Sequence, residues 1–133
     1  GVVKIIDFGL ARGIDEYHYR GEKLWGSEGY TAPERRTRPE ILDYRSDVYS
    51  VGVMYCFVVT GYLPAQLVNY SLPGAGVPEE LCTVLISTLE PVMEQRLSAI
   101  SDFAHGLRAY ELQERSKKKE KKIGKFFKAL FTS

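Results

Sequence analysis

DYRSDVYSVGVMYCFVVTGYLP, residues 43–64, is the stretch that decides the fold. Its segment 48–59, VYSVGVMYCFVV, is apolar nearly all the way round, which a one-faced surface helix would not be. The run therefore reads as a helix, starting near Ser46 and buried on every side. A membrane span is the competing reading, but the run ends near Leu63 and is interrupted by Gly52, Thr60 and Gly61. It stays short of the roughly 20 residues a bilayer needs. One such helix in a chain of 133 residues implies one core, burying about two-thirds of the surface the unfolded chain exposes.

Downstream, residues 61–77 are loop, rich in Gly, Pro and Asn. Pro78, Glu79 and Glu80 then open a helix with proline early and acids in its first turn, running to about Leu89. Ser98 or Ser101 is placed to cap a third helix, whose apolar face would include Phe103, Leu107 and Tyr110. In the tail, Ile123, Phe126, Phe127, Leu130 and Phe131 fall at helical spacing with Lys on the other side. Upstream, residues 2–6 are a β-branched run read as a strand, which Asp7, Phe8 and Gly9 end in a turn. Residues 10–34 hold no lasting period, and a segment of that length without regular structure is usually functional or disordered.

Four motifs occur in order: VKIIDFGLAR (3–12), GSEGYTAPE (26–34), the stretch 43–64, and PEELCTVLISTLEPVMEQRLSAISDFAHGL (78–107). A lone DFG is weak evidence, but the ordered set resembles the C-terminal half of a serine/threonine protein kinase domain of the bacterial-like kind. The likeness covers about residues 1–110. It implies a mainly α fold, the distal part of a kinase C-lobe: short strand, activation segment, buried central helix, two further helices and an amphipathic tail helix. The domain reading is a partial kinase domain over 1–115 and a basic tail over 116–133.

The resemblance also assigns roles. Asp7 would bind the Mg²⁺ that bridges the nucleotide's phosphates, with Phe8 packing between the lobes and Gly9 giving the turn its freedom. Ser27 stands where serine/threonine kinases carry a hydroxyl that contacts the catalytic loop, and Gly29 and Tyr30 belong to the loop that docks the substrate peptide. Glu34 would pair with Arg96 in a buried structural ion pair. Asp47 would accept backbone hydrogen bonds from the catalytic loop; a helix N-terminal acid favoured by the dipole is the plainer reading, and both can hold. Between Gly9 and Ser27 there is no Ser or Thr, so a phosphorylated activation segment is either absent or depends on Tyr17, Tyr19 or Ser27.

Equally informative is what these 133 residues do not contain: a Gly-rich loop, the strand Lys with its helix Glu, and the HRD…N catalytic loop that supplies the proton acceptor. No catalytic residue is assigned, and Mg²⁺ with ATP is expected in the full-length protein but not tightly on this chain alone. Two functions follow. The first is a portion of a kinase whose full-length form transfers phosphoryl groups to protein Ser/Thr, inactive as an isolated chain. The second is a free-standing, non-catalytic remnant that binds partners or a membrane surface. The chain starts at Gly1 inside a strand-like run, with neither Met nor a signal-peptide layout, and so reads as a piece of something longer. The central helix would then lose part of its cover, leaving an apolar face for the missing N-terminal half or a covering protein.

The composition, 44% hydrophobic and 26% charged, is that of a globular domain rather than a disordered one. Residues 116–133 hold seven Lys and one Glu, a net +6 that leaves −5 on the rest of a chain whose formal charge is +1. Lys121, Lys122 and Lys125 with Phe126, Phe127 and Leu130 suit an anionic membrane surface. Nucleic acid is not expected, because the stripe is apolar where a backbone-binding tail needs only charge. Localisation reads as cytoplasmic or membrane-peripheral. Cys56 and Cys82 have no zinc-like spacing and read as buried, reduced thiols.

Overall fold

The computed structural model describes residues 4–6, 11, 27–41, 43–67 and 72–131, with side chains as far as 123. Four α-helices lie among them: α1 (Pro33–Thr37), α2 (Arg45–Thr60), α3 (Glu79–Thr88) and α4 (Ile100–Phe131). Short 3-10 turns occupy Pro64–Gln66, Pro73–Ala75 and Met93–Gln95. The chain is mainly α, and the described residues include no strand. Of the expected strand over 2–6, only Lys4–Ile6 are described; they carry no regular structure, and Ile5 and Ile6 are largely exposed. A strand exists only through hydrogen bonds to a neighbouring strand, and none stands beside these residues among those described.

Helix α2 is the central element. Its start is fixed by Asp43, whose carboxylate accepts from the Arg45 amide at 2.8 Å and from the Arg45 guanidinium at 3.0 and 2.8 Å. Those bonds hold the Asp43 carboxyl below the usual range, against a smaller opposing push from burial. Gly61, in the left-handed conformation, ends the helix, its amide bonding to the Phe57 carbonyl at 2.8 Å. α3 begins at Glu79 after an extended Pro78, and α2, α3 and α4 pack in sequence. The core is formed by Val48, Val53 and Cys56 of α2, Leu81 and Leu85 of α3, Phe103 of α4, and Leu67 and Val77 from the intervening loop. Tyr55 meets Phe103 edge to face, ring centroids 5.3 Å apart.

Two close approaches set this packing. At Gly52 a Cβ would stand 2.8 Å from the Cβ of Thr88, and at Gly106 one would stand 2.7 Å from Val84 Cγ2. Only the bare backbone lets α3 come so near both α2 and α4.

The expectation that α2 is buried on every side is corrected. Met54, Phe57 and Val58 are exposed, Val58 by 74%, on a face of α2 that none of the described elements packed against the helix covers. An apolar groove of about 330 Å³ continues this face between Val51, Met54 and Val58 and the start of α4. Burying such side chains is worth roughly 1.5–3 kcal/mol each, so the uncovered face favours association. Val58→Glu is therefore expected to lower concentration-dependent light scattering of the chain while changing its stability by no more than about 0.5 kcal/mol. Unchanged scattering would mean that this face does not drive association.

The cysteines are both free; Cys56 is buried but Cys82 is only half-buried, on the rim of α3. Burial pushes both thiols above their ordinary pKa. α4 starts at Ile100, and Ser98 meets it by donating to the Asp102 carboxylate at 3.3 Å. The helix then continues without a break to Phe131, so the third helix and the tail helix read from sequence are one element. No helix among the described residues is long and apolar enough to cross a membrane.

Candidate functional site

Residues 27–34 are laid against α2 by polar side chains on one edge of that otherwise apolar helix. Ser46 and Ser50, one turn apart, do most of this. The Ser50 hydroxyl donates to the Tyr30 carbonyl at 2.9 Å, and the Ser46 hydroxyl donates to Glu34 Oε1 at 2.9 Å. The segment itself is a tight turn: the Tyr30 amide bonds to the Ser27 carbonyl at 3.1 Å, which also accepts from the Thr31 hydroxyl at 3.2 Å. Gly29 has φ of +88°, a left-handed conformation that favours glycine, and a Cβ there would have to displace the tip of the Leu63 side chain. Pro33 then starts α1.

Glu34 is buried in the first turn of α1. Arg96, 62 positions later, grips it with two parallel bonds, Nη1 to Oε1 and Nη2 to Oε2, both 2.7 Å. The two side chains are 3% and 0% exposed respectively. Arg96 also donates from Nη1 to the Arg45 carbonyl at 2.8 Å and from Nε to the Glu90 carbonyl at 2.9 Å, and it lies 5.0 Å from the centroid of the Tyr49 ring. Burial alone would raise the Glu34 pKa; the bonds from Arg96, its own backbone and Ser46 together outweigh that and hold the carboxyl below its ordinary value.

Beside this ion pair is an open cleft of about 420 Å³. Ser27, Tyr30, Thr31 and Ala32 line one wall; Ser46, Asp47 and Ser50 of α2 line the other, and Arg35 closes an end. Arg35 is fixed by donating to the carbonyls of Pro39 and Ile41 at 2.6 and 2.8 Å. Asp47 faces solvent at the lip, and its carboxylate accepts no hydrogen bond among the described residues. Local desolvation pushes its pKa above the usual carboxylate range, with Arg35 acting in the opposite direction. Ser27, Tyr30 and Asp47 are therefore brought to one cleft, and Gly29 shapes its wall.

A protein kinase domain model matches residues 1–127. The chain belongs to the protein kinase domain family. Serine/threonine kinases are among its relatives. A probable serine/threonine-protein kinase of Clostridium perfringens is 38% identical over 65 residues, 48% of this chain and 9% of that protein. The serine/threonine-protein kinase PknB of Bifidobacterium longum, itself described as probable, is 39% identical over 67 residues, 48% of the chain and 10% of the relative. A MAP kinase kinase of Caenorhabditis elegans is 38% identical over 66 residues, 50% and 18% respectively. The chain thus spans a small fraction of the length of the kinases it matches. No solved structure matches it.

Several other assigned residues of this kinase-domain chain fall outside what the structure describes. Asp7, Phe8, Gly9, Tyr17 and Tyr19 lie outside the described residues, as do the side chains of Lys125, Phe126, Phe127 and Leu130. Lys121 and Lys122 are exposed on α4. Among the described residues no group of three His, Cys, Asp or Glu could hold a metal ion. Active members of the family use Mg²⁺ with ATP; the residue that the resemblance assigns to the metal here is Asp7. Sequence reasoning missed Arg35, Ser46 and Ser50. The two serines were detectable as polar residues at i and i+4 in an apolar helix, but nothing local marks Arg35.

Proposed function

We propose that this chain is the substrate-docking portion of a serine/threonine protein kinase domain. In its whole protein it would help to move the terminal phosphoryl group of ATP to a Ser or Thr hydroxyl of a protein. The observation that carries the reading is the turn 27–31, tied to α2 and anchored through Glu34 to Arg96, which builds a polar ledge beside Asp47. On that ledge Ser27, Gly29 and Tyr30 would seat the peptide around its acceptor residue, while Asp47 would take backbone amides from a catalytic loop supplied by other sequence. Asp7 would hold Mg²⁺, with Phe8 and Gly9 setting its approach, and the metal would neutralise charge on the transferring phosphoryl group. Tyr17, Tyr19 and Ser27 are the hydroxyls through which phosphorylation would regulate the segment.

These residues include no phosphate cradle and no proton acceptor, so the 133-residue chain with Mg²⁺ and ATP is expected to phosphorylate no peptide. The native protein, captured with an antibody to this chain, is expected to exceed 15.1 kDa by at least as much again and to transfer phosphate, and Asp7→Ala within it to abolish that activity. Phosphoryl transfer by the isolated chain, with contaminating kinases excluded, would refute the assignment.

The second reading, a non-catalytic binding remnant, is favoured by the apolar face of Met54, Phe57 and Val58. A native species of 15.1 kDa without kinase activity would make that reading the better one.

A further inference from the structure

Helix α4 has 32 residues, which at about 1.5 Å per residue makes a rod of about 48 Å. Among its described side chains, those that pack on the apolar core are in the first part, Phe103, Leu107 and Tyr110. The side chains of 111–123 are exposed except for the half-buried Glu114, and a tie remains at Lys117, which reaches Glu80 of α3 at 2.7 Å and Glu114 at 3.2 Å. Residues 118–123 then stand in solvent.

This projecting helix has two unlike sides. Leu112 is 64% exposed and Ile123 46%, and their eleven-residue separation is about three turns, so they share one face. The same register carries the face on to positions 126, 127 and 130, which are Phe, Phe and Leu. Positions 118, 121 and 125, all Lys, lie on the opposite side, while Lys122 flanks the stripe and Lys119 falls within it. The body has no surface in reach of this stripe beyond Lys117 among the described residues.

We propose that the C-terminal part of α4, from Leu112 onward, is an interfacial helix that lies on an anionic lipid surface. The lipid is chosen by complementarity. Aromatic and aliphatic residues suit the boundary of the acyl region, while flexible lysines keep their charges at the headgroups. The net +6 of residues 116–133, beside −5 on the rest, draws this end and not the body to the anionic surface. Self-pairing along the stripe is disfavoured because Lys119, one turn before Ile123, would bring like charges together. A nucleic-acid backbone would leave the apolar residues without a partner. This inference is independent of the kinase assignment.

The test is co-sedimentation of the full 133-residue chain with phosphatidylcholine vesicles, with or without phosphatidylserine. Comparison variants are Lys121→Glu/Lys122→Glu and Phe126→Ser/Phe127→Ser. The chain is expected to bind the phosphatidylserine vesicles and to be released by salt. Loss of two lysines should weaken partitioning about 30-fold, which corresponds to about 1 kcal/mol per lysine, with charge reversal weakening it further. The phenylalanine pair should also bind more weakly, while circular dichroism reports an intact helical body for both variants. Binding unchanged in both variants, or no binding to the anionic vesicles, would overturn the proposal. Retention of duplex DNA, or a dimer lost in the phenylalanine variant, without vesicle binding would overturn it in favour of nucleic acid or self-association.

Discussion

Arg96→Met is expected to destabilise the chain by about 3–5 kcal/mol, because it leaves the Glu34 carboxylate buried without its counter-charge. That is a large share of the 5–15 kcal/mol that typically holds a domain together. Glu34→Leu alone should cost about as much, for the mirror reason: a guanidinium with no exposed side-chain surface would lose its two shortest bonds. The double variant Glu34→Leu/Arg96→Met should recover most of the loss, since replacing both charges by apolar groups is often close to neutral. Urea unfolding of the four proteins measures the cycle, and additive losses would show that the residues do not act as a pair.

The pair also sets a pH dependence. Its Glu34 carboxyl has a folded pKa below the unfolded one, so the contribution is complete above about pH 5 and is lost as pH falls through the depressed folded value. Arg96→Met should flatten the part of the acid limb due to Glu34.

The second large effect is expected at the α2–α3 crossing. Gly52→Ala gains about 1 kcal/mol of helix propensity, yet its methyl would collide with the hydroxyl and Cβ of Thr88. Thr88 has nowhere to go: it is fully buried and its hydroxyl donates to the Leu85 carbonyl at 2.7 Å. Overpacking a core contact costs about 1–3 kcal/mol, so Gly52→Ala should be a net loss and the larger Gly52→Leu a severe one. Thr88→Ala, which removes the hydroxyl, should make Gly52→Ala less costly than in the parent chain. Thermal unfolding of the single and double variants checks this. Equal cost of Gly52→Ala in both backgrounds would place the strain elsewhere.

The sequence exposes those parts of the fold whose causes are local. The apolar circumference of 48–59 marks α2, and Pro78 with two acids marks the start of α3. Helix α1 is not visible in this way, because five residues after an extended Ala32 carry no period; it exists because Glu34 is held from a distance. The unbroken course of α4 is also hard to read, since its inner third follows the core and its outer part follows a different apolar stripe. The exposed side of α2 follows from which neighbours reach it, a tertiary fact that composition does not encode. At the site, Glu34 and Arg96 share no local pattern, and only the likeness to kinases sets them side by side. Ser46 and Ser50 needed no family, only attention to two hydroxyls one turn apart.

Arg96 fastens three stretches of chain at once: α1 through Glu34, α2 through the Arg45 carbonyl, and the connection between α3 and α4 through the carbonyls of Glu90 and Pro91. The ledge beside Asp47 is consequently not a flap riding on the helices. It is expected to have no melting transition of its own: the knot that gives it shape also closes the helical body, so one should come undone with the other.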